Sequence, residues 1–179
     1  MKAVTAILVG GLIAGALDIL YAFAVYGPLA PSLGLPSSSS PIEILQSVYG
    51  GWVGREAAAA GGVNAAVLGA CTHFGIAMVM AAVYSALFAR PGASNPILWG
   101  FIYGLILFVV MNYVVVPLSA AATGHFTNGA DAMDRIQAAV GRALQFKRPL
   151  LLAGTIFTHT VLVGIPIALA SARLNPQQD

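Results

Sequence analysis

The chain of 179 residues is long enough for one ordinary domain and short for two. It is 59% hydrophobic and 8% charged, with a mean hydropathy of +0.86, whereas a soluble domain carries roughly 25% charged residues; no water-facing polar surface can be assembled from it. The net charge of +2 has no basic stripe behind it, which argues against a nucleic-acid partner, and the single cysteine, Cys71, excludes an intramolecular disulfide.

A helix needs about 20 apolar residues to cross the hydrocarbon core of a bilayer. The first such run covers residues 3–26, and Asp18 interrupts it. Lys2 before it and Ala22-Phe23-Ala24 within it also resemble a signal peptide and its cleavage site. The run is long for that, and it has a counterpart further on. A connection follows, with Gly27-Pro28 and a serine run over 37–40. Ser40-Pro41-Ile42-Glu43 then has the pattern of a capping box with proline at the first helical position. Over residues 41–55, Ile42, Leu45, Tyr49, Trp52 and Val53 fall near one helical face. Tyr and Trp settle at the water–lipid boundary, so this segment is expected to lie on the membrane surface or to pack on the bundle's end.

The second run covers residues 63–89 and is stopped by Arg90, Pro91 and Gly92. The third covers 96–119 and the fourth 149–172. Between them, residues 131–144 place Met133, Ile136, Val140, Ala143 and Leu144 at helical spacing, with Asp131, Asp134, Arg135 and Arg142 on the other positions. This predicts a second amphipathic segment. Backbone groups inside a bilayer must be satisfied within their own segment, so the four runs should be helices. The expected fold is an all-α bundle of four transmembrane helices in a single domain, residues 1–179. Pro117 and Pro166 are expected to end or kink the third and fourth.

The halves resemble each other. Gly11-Leu12-Ile13-Ala14-Gly15 aligns with Gly100-Phe101-Ile102-Tyr103-Gly104, Pro28-Leu29 with Pro117-Leu118, and Thr72-His73 with Thr158-His159. The pattern suggests two parallel two-helix repeats related by an axis along the membrane normal. Gly11, Gly15, Gly100 and Gly104 are expected to let helix backbones approach closely. Such small-residue stripes also offer a surface to a second copy or to a membrane-complex partner.

Each run carries one polar residue: Asp18, His73, Asn112 and His159. Counted from the side of the long connections, each lies roughly 10–15 Å deep at 1.5 Å per residue. A charge at the bilayer centre costs at least ~2.5–3.5 kcal/mol, so these residues should face the bundle interior, where Asp18, His73 and His159 are expected to meet. The group supports several chemistries. It can be a purely structural polar core, a proton or ion path, a bis-histidine haem site on His73 and His159, or a divalent-metal site on both histidines and Asp18. No nucleophile elbow, zinc-binding helix, phosphate loop or Cys-x-x-Cys is present, so a non-enzymatic protein without a cofactor is expected, haem b being the alternative. His125, in a connection, reads as an ordinary surface histidine. The leading function is passage of protons or small solutes, or coupling, through the polar core. The alternatives are an accessory membrane subunit and an electron carrier.

Gly11-Leu12-Ile13-Ala14-Gly15, Trp99-Gly100 with Gly104, Pro117-Leu118 and the late His159 with an arginine-flanked end resemble the YagU-like small inner-membrane proteins of bacteria. The long connection after the first run departs from that pattern. The resemblance implies a multi-helix architecture and a bacterial inner-membrane address, and no catalytic residues. Lys2, Arg90 and Arg173 lie on one side of the expected bundle, and Arg55, Arg135, Arg142, Lys147 and Arg148 on the other. The total puts the long connections in the cytoplasm, whereas the first run, preceded by Lys2, puts both termini there. The first run is given precedence.

Overall fold

The computed structural model describes residues 2–88, 95–145 and 147–174. The expected stop at Arg90, Pro91 and Gly92 lies outside them. Every regular element among the described residues is helical. The elements are α1 (Lys2–Tyr26), a short 3₁₀ turn (Pro31–Leu33), α2 (Pro41–Val53), α3 (Arg55–Ala60), α4 (Gly62–Leu87), α5 (Pro96–Leu118), α6 (Ala120–Thr123), α7 (Ala132–Ala143) and α8 (Pro149–Leu174). Four of them, α1, α4, α5 and α8, are long and apolar enough to cross a membrane. Their bounds fall close to the four runs read from the sequence.

The residues divide into two compact units. The first takes residues 1–21, 74–108 and 155–179. Its core is Ala14, Ala81, Tyr84, Tyr103, Leu107, Val163, Ile167 and Ala168, so each of the four long helices contributes. Small residues line the contacts. A Cβ on Gly11 would meet Met78 and the Ala77 carbonyl, and one on Gly15 would meet Phe74 and Ala77. Tyr103 is buried among apolar groups, and its hydroxyl donates to the Met80 carbonyl at 2.7 Å. That bond removes the penalty of an unpaired buried hydroxyl. Large apolar side chains such as Leu12, Val79 and Leu105 point outward.

The second unit takes residues 22–73 and 109–154 and contains the long connections. The capping box of α2 forms as expected. The Glu43 N–H donates to Ser40 Oγ at 3.3 Å, and the Ser40 N–H donates to Glu43 Oε2 at 2.6 Å. The Ser40 backbone and hydroxyl together hold the Glu43 carboxyl below its ordinary range. The helix ends at Gly54, whose φ of +86° favours glycine. A Cβ on Gly69 of α4 would strike the Leu45 carbonyl, so α2 lies directly against α4 there. The buried residues of α2 are Ile44, Gln46 and Gly50, whereas Ile42, Trp52 and Val53 are exposed. Gln46 is buried because its Nε2 donates to the Gly62 carbonyl at 2.9 Å.

Two of the long helices are not α-helical throughout. Met111–Val115 in α5 and Thr158–Gly164 in α8 are π-helical. Each closes on the residue just before a proline, as the Val116 N–H bonds the Met111 carbonyl and the Ile165 N–H bonds the Thr160 carbonyl. A proline ring clashes with the carbonyl four residues back and supplies no N–H of its own. A wider turn ahead of it relieves that clash, which accounts for the placement of both segments. The expected termination therefore differs between the two prolines. At Pro117 the helix ends one residue later, whereas past Pro166 it runs on to Leu174.

Candidate functional site

Asp18 and His159 belong to the first unit, and His73 and Asn112 to the second. All four are half-buried. Asn112 and His159 are each the second residue of a π-helical segment, so both polar residues sit where the backbone ladder is displaced. Such segments occur often at functional sites.

Two neighbouring side chains, His159 and Thr160, build the His159 neighbourhood. His159 Nδ1 lies 2.8 Å from the Thr155 carbonyl. A carbonyl can only accept, so Nδ1 carries the hydrogen and neutral His159 has a bare Nε2. Thr160 Oγ1 donates to the Ile156 carbonyl at 2.8 Å and leans toward the Phe157 carbonyl at 3.3 Å. His159 and Thr160 thus supply side-chain hydrogens to carbonyls one turn back, at the edge of the disturbed segment. The sequence marks Thr158-His159 as a repeated pair, and this backbone role adds Thr160 to it. Phe108 meets the imidazole in a T-shaped contact with centroids 6.1 Å apart.

Glycine sets how close α5 comes. A Cβ on Gly104 would collide with the His159 carbonyl and the Thr160 Cα, and one on Gly100 would come within 2.7 Å of the Ile165 Cα. Gly164 returns the contact, because its Cβ would lie 2.8 Å from the Gly104 nitrogen. The π-helical stretch of α8 is therefore seated on the glycine face of α5. On the other side, Tyr21 of α1 meets Phe157 of α8 with centroids 6.0 Å apart. Tyr21 lies one turn beyond Asp18 and Phe157 two residues before His159, so the contact sets α1 beside α8 near these two groups.

In the second unit, His73 follows Thr72, whose Oγ1 accepts from Trp52 Nε1 at 3.1 Å. The Trp52 ring also meets Phe126 edge-on at 6.0 Å. The Asn112 segment packs against α7. Among the described residues, no three His, Cys, Asp or Glu side chains form a group able to hold a metal ion.

One cluster departs from the sequence reading. Arg135, assigned there to the polar positions of an amphipathic helix, is 8% exposed. Its Nε pairs with Asp131 at 2.5 Å, its Nη1 donates to the His125 carbonyl at 3.1 Å, and its Nη2 donates to His125 Nε2 at 3.1 Å. Thr127 Oγ1 donates to Asp131 Oδ1 at 2.6 Å. That bond first, and Arg135 with it, hold the Asp131 carboxyl below its ordinary range against the opposing effect of burial. The apolar positions Met133, Val140 and Leu144 are exposed instead. The helix turns its arginine inward because the connection ahead of it supplies the partners. No known protein family, characterised protein or solved structure matches the chain.

Proposed function

We propose that the protein is a multi-pass membrane protein whose intramembrane polar residues pass protons, with His159 as the exchanging group. The observation that carries this is the state of its ring. Nδ1–H is tied to the Thr155 carbonyl, which leaves Nε2 as the ring nitrogen able to take a proton. An ionisable residue within a spanning helix is costly and by default functional. Asp18 beside the same helix supplies the carboxylate that offsets an imidazolium. His73 and Asn112 are the polar groups of the second unit that this reading recruits. It carries with it the bacterial inner-membrane address, termini in the cytoplasm, parallel two-helix repeats, and α2 and α7 as helices of the water–lipid boundary. The exposed Met133, Val140 and Leu144 suit that last role.

Purified protein in liposomes with an entrapped pH-sensitive dye tests it under an imposed potassium-diffusion potential. Proton entry should exceed that of empty liposomes. His159→Phe, which keeps a ring in place, should abolish the excess while helicity is unchanged. Flux equal to that of empty liposomes, or unaffected by His159→Phe, refutes the proposal. A His159→Phe variant that loses stability with no flux to lose supports a packing core in an accessory subunit.

A further inference from the structure

We propose that His125 and Arg135 form a pH-operated latch, in which protonation of the imidazole releases the connection ahead of α7 from the buried guanidinium. The geometry fixes the ring's state. A guanidinium has hydrogens on every nitrogen and can only donate, so the Nη2 contact at 3.1 Å requires a bare Nε2 on His125. The closed latch therefore contains a neutral imidazole. A proton on Nε2 turns the acceptor into a donor and sets a second positive charge against Arg135. The hydrogen bond is lost and a repulsion takes its place.

The surrounding charges leave the imidazole as the group that switches. Asp131 pairs with Arg135 and is hydrogen-bonded by Thr127, and with its carboxyl held below the ordinary range it stays ionised while histidine titrates. Asp134 is exposed on α7. On the neighbouring corner between α2 and α3, Gly54 approaches Gly124, and the charged residues there are Arg55 and Glu56. His125 is itself exposed, so solvent protons reach it.

The latch has somewhere to transmit. It ties residues 123–127 to α7, and α7 packs against Met111–Val115 and Val116–Leu118. Release therefore loosens the support of the π-helical segment that carries Asn112. This holds whether or not the protein passes protons, because the latch is read from its own contacts.

Hydrogen exchange on the full-length protein in lipid nanodiscs tests it, at about pH 5 and about pH 8, either side of the ordinary histidine range. Rates are corrected for intrinsic pH dependence. Peptides over residues 119–135 should exchange roughly tenfold or more faster at the lower pH, as expected for loss of a hydrogen bond to a charged group. His125→Gln retains an acceptor that does not titrate and should stay protected at both values. His125→Lys carries a fixed charge and should exchange fast at both. The latch is overturned if the wild type shows no pH dependence, or if His125→Gln shows the same dependence as the wild type.

Discussion

Replacing Gly104 with alanine probes the seat of the π-helical segment. The new methyl would meet the His159 carbonyl oxygen and the Thr160 Cα, with the His159 carbonyl carbon at 2.9 Å, where carbon contacts ordinarily begin near 3.4 Å. These obstacles are backbone atoms, so no side chain can swing away. Relief requires α5 and α8 to part by about half an ångström or more, which also strips Gly164 from its partner. Overpacking of this kind costs roughly 1–3 kcal/mol. Alanine's higher helix propensity offsets up to about 1 kcal/mol of it. Gly75→Ala supplies the control, because a Cβ there meets nothing within 4 Å and carries the same propensity gain. The difference between the two variants should therefore be roughly 1–3 kcal/mol, with Gly104→Ala the less stable. Equilibrium unfolding in mixed detergent micelles, followed by circular dichroism, reads it. Equal stabilities within about 0.5 kcal/mol would show that the glycine contact does not hold the segment.

Pro166→Ala restores an N–H four residues after Leu162, so the wide turn should narrow toward α-helix and proton flux should fall with His159 swung out of place; unchanged flux would detach function from the π-helical backbone. Stability should fall on the acid side, because a depressed carboxyl contributes stability above its ordinary range and loses it as pH drops through its folded value. Asp131→Asn should flatten that acid limb in a pH titration of helicity, and a limb that persists unchanged would clear Asp131 of the role. Arg135→Met should free the connection before α7 at every pH, measured as hydrogen exchange over residues 119–135. The purified protein should be colourless; a Soret band that His73→Ala and His159→Ala both remove would establish the haem alternative instead.

The four long helices were legible because their signal is length. A run of about 20 apolar residues has few soluble uses, and no tertiary contact is needed to recognise one. Ser40-Pro41-Ile42-Glu43 was legible because a capping box is local, complete within four residues. Arg135 was not. Helical periodicity sorts residues by polarity and places a charge outward, yet this charge is satisfied by Asp131 one turn back and by His125 in a connection ten residues away. The only hint was the spacing Thr127, Asp131, Arg135, in which each member can bond the next. In α2 the residues that turn inward are Ile44, Gln46 and Gly50, and Gln46 does so because it finds the Gly62 carbonyl sixteen residues on. In both cases a specific nonlocal hydrogen bond turns a polar side chain inward, which helical periodicity alone does not register.

The prolines were visible in the sequence, but their consequence was not, because it depends on what lies before them. In an α-helix the Val161 carbonyl would accept from Ile165 and the Leu162 carbonyl from residue 166. Here Ile165 bonds Thr160 instead, and Pro166 has nothing to donate, so both carbonyls lose their usual partners. In α5, Val116 bonds Met111 and Pro117 cannot donate, so the ladder is displaced there in the same way. Backbone acceptors without their helical partners are costly inside hydrocarbon and persist where polar groups, water or neighbouring helices meet them. Each proline thus displaces the ladder in the segment that carries Asn112 or His159. The polar residues and the displaced backbone are two parts of one arrangement. In the proposed proton passage, His159 is the exchanging group and the displaced ladder is the backbone that carries it. A helix of the same composition without Pro166 would keep the imidazole and lose that second part.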